Sequence, residues 1–248
     1  MQIEKAYPKS YIRNKTIISF TIFILFLFGC IVLWKWIHRQ PVNNGAFQPF
    51  RKGLQANEVL LTGLFGERNA KSYDVSKAVL HPRINGLVGL NNPLDTLDWK
   101  LQIIKNNGDT LFLNMNDIRK LPKTEVVFDF KCIEGWDQIT HWAGVRFKDF
   151  ITAYHLEEES HLRFTGLETP DEQYYVGIDN KSMLHPQTLL CYEINNKPLP
   201  LNQGAPLRLI IPVKYGVKNL KRIGTIYFSD NRPRDYWYER GYDYYCGL

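Results

Sequence analysis

The stretch FDFKCIEGWDQITHWAGV, residues 128–145, sets a cysteine at the end of an alternating run and follows it at once with an acid, a glycine and a tryptophan. Val126, Phe128, Phe130 and Cys132 alternate with Val127, Asp129 and Lys131, and a period of two puts the two sets on opposite faces of a strand. Cys132 therefore ends a strand with its sulfur on the inward face. Such a cysteine is ordinarily a small core hydrophobe. At a strand end beside Gly135, where a ligand can approach the backbone, a thiolate can also attack a substrate or bind a soft metal. The two chemistries need different company. A nucleophile needs a base, and His141, His155, His161 and His185 are the candidates, none of them in a recognised cysteine-hydrolase pattern. A lone thiolate on a metal needs a cofactor that brings the remaining ligands.

Outward from this strand, WKLQIIKNNGDTLFLNM (99–115) predicts two strands about a tight turn in which Asn107 and Gly108 both take positive φ. NDIRKLP (116–122) predicts one helical turn capped by Asn116 or Asp117 and stopped by Pro122. Phe147, Phe150, Ile151 and Tyr154 recur at helical spacing through about Leu156. HLRFTG (161–166), QYYVGID (173–179), GAPLRLIIPVKYG (204–216) and LKRIGTIYFSD (220–230) read as strands. Strands dominate without a βαβ rhythm, and no G-x-G-x-x-G opens a helix, so the expected class is α+β with mixed or antiparallel sheets.

The net charge of +6 concentrates at the start of the chain: residues 1–40 hold six of the 31 Lys and Arg but only one of the 25 acids. The body is nearly neutral, which gives no support to nucleic-acid binding. Thr16 to Leu33 carries no charge and, as a helix, spans roughly 27 Å, about one hydrocarbon core. Trp34 and Trp36 stand where interfacial aromatics belong, and the basic residues before the helix favour a cytoplasmic N-terminus. HRQPVNNGAFQPFRKG (38–53) reads as an irregular tether. Among the four cysteines there is no C-x-x-C pair, so a structural zinc site is not expected, while Cys191 and Cys246 leave a disulfide open.

Cys-x-Glu-Gly-Trp at 132–136, Trp142-x-Gly-Val145 and the downstream run GAPLRLIIPVKYGVK (204–218) together resemble the molybdopterin-binding domain of the sulfite oxidase superfamily. Within it, the likeness is to the bacterial branch typified by the catalytic subunit of periplasmic methionine sulfoxide reductase, and it extends from about Arg83 to Phe228. The resemblance implies a sulfite-oxidase-type fold with mixed sheets behind one N-terminal transmembrane helix. It implies a molybdenum-molybdopterin cofactor (Mo-MPT) with Cys132 as the protein ligand to the metal. Arg208 matches the family's cofactor-binding arginine, and Gly216, Lys218, Asn219 and Lys221 lie on the segment that grips the cofactor, whose phosphate needs charge-assisted donors. Gln203 stands where relatives have a cofactor-binding asparagine. Asn85 in RINGLVG and Thr165 in RFTG match two further cofactor contacts. Taken alone, KYGVKNLKR (214–222) reads as a solvated basic turn or an anionic-lipid patch; beside the cysteine motif it reads as the cofactor grip.

The organisation that follows is a cytoplasmic N-terminus (1–15), a transmembrane helix (16–37), a linker (38–57) and the oxidoreductase domain (58–248). The expected activity is two-electron oxygen-atom transfer at molybdenum, reducing an S-oxide or similar small-molecule substrate. Electrons would come from a membrane haem or quinone-linked subunit, and the domain would be periplasmic on a bacterial inner membrane. Glu134 stands where sulfite oxidases place arginines, and a carboxylate there disfavours sulfite. SYIRNKTII (10–18) lacks the adjacent arginine pair of the branch's export signal. The tyrosine-rich tail after Phe228 is expected to pack rather than to cap the pocket. The alternative is a membrane-anchored binding module that keeps the fold without the metal.

Overall fold

The computed structural model describes residues 7–65, 68–84 and 86–247. Its first element, α1 (Lys9–His38), contains the predicted span and runs further at its N-terminal end. Among the described residues it is the one helix long and apolar enough to cross a membrane, and no side chain on it is buried.

The segment after it is not an irregular tether. Strands β1 (Val42–Asn43) and β2 (Ala46–Phe47) pair antiparallel about Asn44 and Gly45, whose φ angles of 47° and 76° make a two-residue turn of the primed type. Helix α2 (Gln48–Phe65) follows directly, so the expected linker is ordered for most of its length. The Asn-Gly dipeptide carries this hairpin, and its flanking strands are too short to show alternation.

The Asn-Gly at 107–108 behaves differently. Strands β3 (Leu101–Ile104) and β4 (Thr110–Leu113) pair as predicted, but only Gly108 has positive φ, at 89°. Lys105 accepts from Gly108 and donates to Asp109, which makes a longer loop with glycine at its left-handed position. Next, α3 (Met115–Arg119) is capped by Asn114, two or three residues before the predicted cap, in a reciprocal box with Asp117.

Strands β5 (Lys123–Lys131) and β6 (Asp137–Arg146) form the long hairpin around the cysteine turn. Helix α4 (Phe147–Ala153) buries Phe147, Phe150 and Ile151 and stops where His155 turns left-handed at φ 53°. Then come α5 (Glu157–Ser160), β7 (Phe164–Glu168), β8 (Tyr175–Asp179), α6 (Asn180–Met183), β9 (Leu189–Ile194), β10 (Lys197–Pro198), β11 (Arg208–Ile210) and β12 (Thr225–Ser229).

Two five-stranded sheets result. The first is antiparallel, in the order β10-β9-β6-β5 with β11 also on β9; the second is mixed, in the order β4-β3-β12-β7-β8, with β12 parallel to β3. Residues 144–146 of β6 run against 189–191 of β9 after a bulge at Ala143/Gly144. A Cβ on Gly144 would lie 2.1 Å from the Leu190 carbonyl oxygen, so the glycine of the Trp-x-Gly-Val motif is a requirement of strand approach. The larger core packs Leu101, Ile103, Leu167 and Ile226 of the second sheet with Val145, Leu190 and the buried face of α4. A smaller cluster of Phe128, Trp142, Cys191 and Ile210 underlies the cysteine turn. The α+β class with mixed sheets is therefore the observed one.

Candidate active site

At the end of β5 the chain reverses within five residues. Gly135 donates to the Cys132 carbonyl (3.0 Å), Cys132 donates to the Trp136 carbonyl (2.9 Å), and Gly135 takes φ 88°, a left-handed value that suits glycine. The turn presents Cys132, 7% exposed, to a cavity of about 370 Å³, within the usual 300–1,000 Å³ of small-molecule sites. Gln138, Thr140 and Trp142 continue the wall along β6 by strand alternation. Pro82, Arg83, Gly86 and Val88, residues of the segment from Gln203 to Lys221, and the tail residues Trp237 and Tyr242 continue it.

Arg208, on β11, is 2% exposed. Its Nη1 donates to the backbone and side-chain oxygens of Gln203 (both 3.0 Å), and its Nη2 reaches the Asn219 carbonyl at 3.5 Å. The guanidinium carbon lies 4.5 Å over the Trp142 ring, and Nε is buried without a partner. Every acceptor is neutral, and burial pulls the guanidinium down to about 10. Lys221 lines the same cavity and donates to the Gly86 carbonyl (3.0 Å). Burial first, and the Arg208 charge second, push its amine down to about 7. Two cations of one sign, partly desolvated and side by side, are the arrangement an anion repairs.

Gln203 also donates to the Pro82 carbonyl (3.2 Å), tying the 82–88 segment to the arginine. Asn219 acts through its amide: Oδ1 accepts from Ile211 and Nδ2 donates to Tyr215, which braces the segment beside Arg208. Gly216 opens a short 3-10 turn through Lys218, and a Cβ there would meet the Phe130 ring at 2.8 Å. Glu134, at the mouth, accepts from the Trp136 indole (3.1 Å), and Arg83 stacks over the same tryptophan at 5.0 Å.

The structure thus gathers Cys132, Glu134, Gln203, Arg208, Gly216, Asn219 and Lys221 in one cavity. It does not bring Lys218 there. That amine is 1% exposed and bonds the Gly177 carbonyl (3.0 Å) and Asp235 (2.5 Å) on the other side of the segment. Thr165 is likewise elsewhere, inside β7 with its hydroxyl on Asn180. Asn85 lies outside the described residues. None of the four candidate histidines lines the cavity; His141 points to the opposite face of β6, with Nε2 3.0 Å from Glu125. Cys191 and Cys246 are unbridged, buried thiols that burial raises to about 12. Sequence reasoning missed Arg83 and Tyr174 as wall residues, and it expected Trp237 and Tyr242 only to pack. For Thr140 and Gln138 the signal was present, because they share the period-two face of Trp142.

The donor set fits a cofactor with a phosphate end and a metal end. Arg208 has a buried unpartnered Nε, Lys221 is a second cation, and Gly216 leaves room where a side chain would collide. Among the described residues no three His, Cys, Asp or Glu side chains are grouped to hold a metal, so one at Cys132 would take its other ligands from a non-protein group.

Comparison with known proteins identifies a family for the chain. The profile of the oxidoreductase molybdopterin binding domain matches residues 89–237. The protein-methionine-sulfoxide reductase catalytic subunit MsrP of Campylobacter jejuni is 32% identical over 164 residues, covering 60% of this chain and 55% of that one. The MsrP catalytic subunit of Xanthomonas axonopodis pv. citri is 30% identical over 140 residues, covering 51% of this chain and 44% of that one. The chain thus spans about half the length of the curated relatives it matches. The crystal structure of the sulfane dehydrogenase SoxCD from Paracoccus pantotrophus superposes with a TM-score of 0.48 at 16% identity, over 57% of this chain and 40% of that one. With the profile covering more than half its length, the chain belongs to the molybdopterin-binding oxidoreductase family of the sulfite oxidase type.

Proposed function

We propose that this protein is a membrane-anchored, molybdenum-cofactor-dependent reductase of S-oxides. The observation that carries the reading is one cavity holding a strand-end thiol together with two desolvated cations, Arg208 set on the neutral oxygens of Gln203 and Asn219, and Lys221 donating to the Gly86 carbonyl. When bound, molybdenum-molybdopterin supplies two-electron redox chemistry with an oxygen atom exchanged between metal and substrate. Cys132 is the thiolate ligand for the metal. Arg208 and Lys221 hold the phosphate by charge-assisted donors, Gln203 and Asn219 orient Arg208, and Gly216 lets the backbone come close.

The substrate class follows from the relatives' names, which specify methionine sulfoxide in proteins, and from the walls of the cavity. Trp136, Trp142, Trp237 and Tyr242 offer polarisable rings to a thioether and its oxide. Glu134 puts a carboxylate at the mouth, which repels sulfite and leaves a neutral sulfoxide unopposed. The relatives are named as catalytic subunits, which supports an electron-delivering partner subunit, a membrane haem or quinone-linked protein. Helix α1, by its length and composition, is the anchor, with the domain on the periplasmic side of a bacterial inner membrane.

Molybdenum content and the optical spectrum of the purified protein, set against Cys132→Ser, test the reading. We expect metal and a thiolate-to-metal band in the parent protein and loss of that band in the variant. Equal spectra, or no metal in either, would leave a binding module on the same fold. Turnover of sulfite in preference to methionine sulfoxide would overturn the substrate assignment.

A further inference from the structure

The segment that joins α1 to the domain also holds one wall of the cavity. Helix α1 ends at His38, whose ring packs on Trp34 (4.0 Å) and on Phe47 of the β1–β2 hairpin (5.0 Å). Four residues on, Arg51 of α2 is 1% exposed. Its guanidinium donates to Asn44 (2.6 Å) and Asn43 (3.4 Å) on the hairpin, and to Tyr242 (2.7 Å) and Tyr238 (2.9 Å) on the tail, all through main-chain carbonyls. It also lies 4.1 Å over the Tyr238 ring. Gly45 presses on the same stretch, where a Cβ would come within 2.5 Å of the Arg240 carbonyl carbon. Trp237 and Tyr242, ring to ring at 5.1 Å, are the tail residues that face the cavity.

We propose that Arg51 is a positioning residue: it fixes the Trp237–Tyr242 wall and thereby makes the width of the cavity depend on the segment next to the membrane helix. The proposal rests on the cavity being the active site. The chemistry favours arginine, because a planar fork satisfies carbonyls from two segments at once, whereas an ammonium is a point donor. Elsewhere the tail has its own attachments. Tyr236 donates to the Tyr175 carbonyl, Asp235 accepts from Lys218, and Lys214 bridges Gly247. Loss of Arg51 therefore loosens the stretch between them and leaves the sheets in place.

The test uses the full chain in detergent or nanodiscs, with Arg51→Ala, Arg51→Lys and, as a perturbation from the other side, Gly45→Ala. Amide hydrogen exchange reads the tail against β5–β6, and methionine sulfoxide turnover reads KM against kcat. We expect exchange across 237–242 to quicken by about tenfold or more in Arg51→Ala, in line with losing charged hydrogen bonds. Exchange in β5–β6 should not change, KM should rise about tenfold while kcat stays within about twofold, and Arg51→Lys should fall between. Gly45→Ala should repeat the pattern without touching the guanidinium, which keeps the test alive should Arg51→Ala fail to fold. Unchanged tail exchange, equal quickening in β5–β6, or an unchanged KM with the tail released would each overturn the proposal. The exchange measurement needs no turnover, so failure of the proposed activity and failure of the clamp are read separately.

Discussion

Arg208 and Lys221 on one side of their segment, and Lys214 and Lys218 on the other, are all largely withdrawn from water, yet they keep opposite company. Lys214 meets Asp179 at 2.9 Å and lies over the Tyr245 ring; Lys218 meets Asp235 at 2.5 Å and lies over Tyr244. Burial alone would raise the Asp179 carboxyl, but Lys214 and the Ser182 hydrogen bonds outweigh it and hold the group below its ordinary range. Arg208 meets only amide and carbonyl oxygens, and Lys221 is crowded by the arginine's own charge. Lys214 and Lys218 bring their own counterions and read as framework, while Arg208 and Lys221 face the cavity, where the proposed cofactor would place its phosphate. The basic run KYGVKNLKR contains both kinds.

The sharpest way to break this contrast is at the framework pair. Asp235→Ala leaves the Lys218 ammonium buried and unpaired, and should cost about 3–5 kcal/mol in chemical denaturation. A loss no larger than that of a surface substitution would put Lys218 among the receptors. Arg208→Met comes next and should act the other way round. Cofactor retention should fall by about a hundredfold, as expected for two or more charged hydrogen bonds, while the stability of the cofactor-free protein holds or rises because an uncompensated charge has gone.

The pH dependence is smaller and has a definite sign. Lys221 is depressed from 10.5 to about 7, so the cost of burying its charge is full below about 7 and fades as pH rises toward 10.5. Cofactor-free protein should therefore gain stability across that window. Pyrophosphate, standing in for the cofactor's phosphate end, should bind more weakly as pH rises through about 7, and Lys221→Met should flatten the profile. Smallest is Glu134→Gln, which should improve binding of sulfite by a few-fold, as removal of one partly solvated charge allows, with methionine sulfoxide KM unchanged.

The β5 alternation was legible because Val126, Phe128, Phe130 and Cys132 sit on a half-buried strand, the situation that writes a period of two into a sequence. Arg208, Gly216 and Lys221 were legible through the motif. Lys218 was misplaced because the 3-10 turn ends on it and the chain leaves through Asn219 in a non-helical conformation, so Lys218 and Lys221 point to opposite sides of the segment. Thr165 lies mid-strand within the second sheet with its hydroxyl on Asn180, a position no linear pattern separates from the cavity. The Asn-Gly dipeptides at 44–45 and 107–108 both make hairpins, yet their turn types depend on the loop length around them, 43–46 against 105–109. The tail's role depends on Arg51, whose partners lie nearly the whole chain away, beyond anything periodicity reports.

Strand β12 stands in the middle of the mixed sheet, with β3 on one flank and β7 on the other, although in chain order it follows every other described strand. Until it arrives, β3–β4 and β7–β8 are separate hairpins with raw hydrogen-bonding edges and their apolar faces in the open. The mixed sheet therefore forms late and slowly, because its central strand must pair with residues 102–104, far back along the chain.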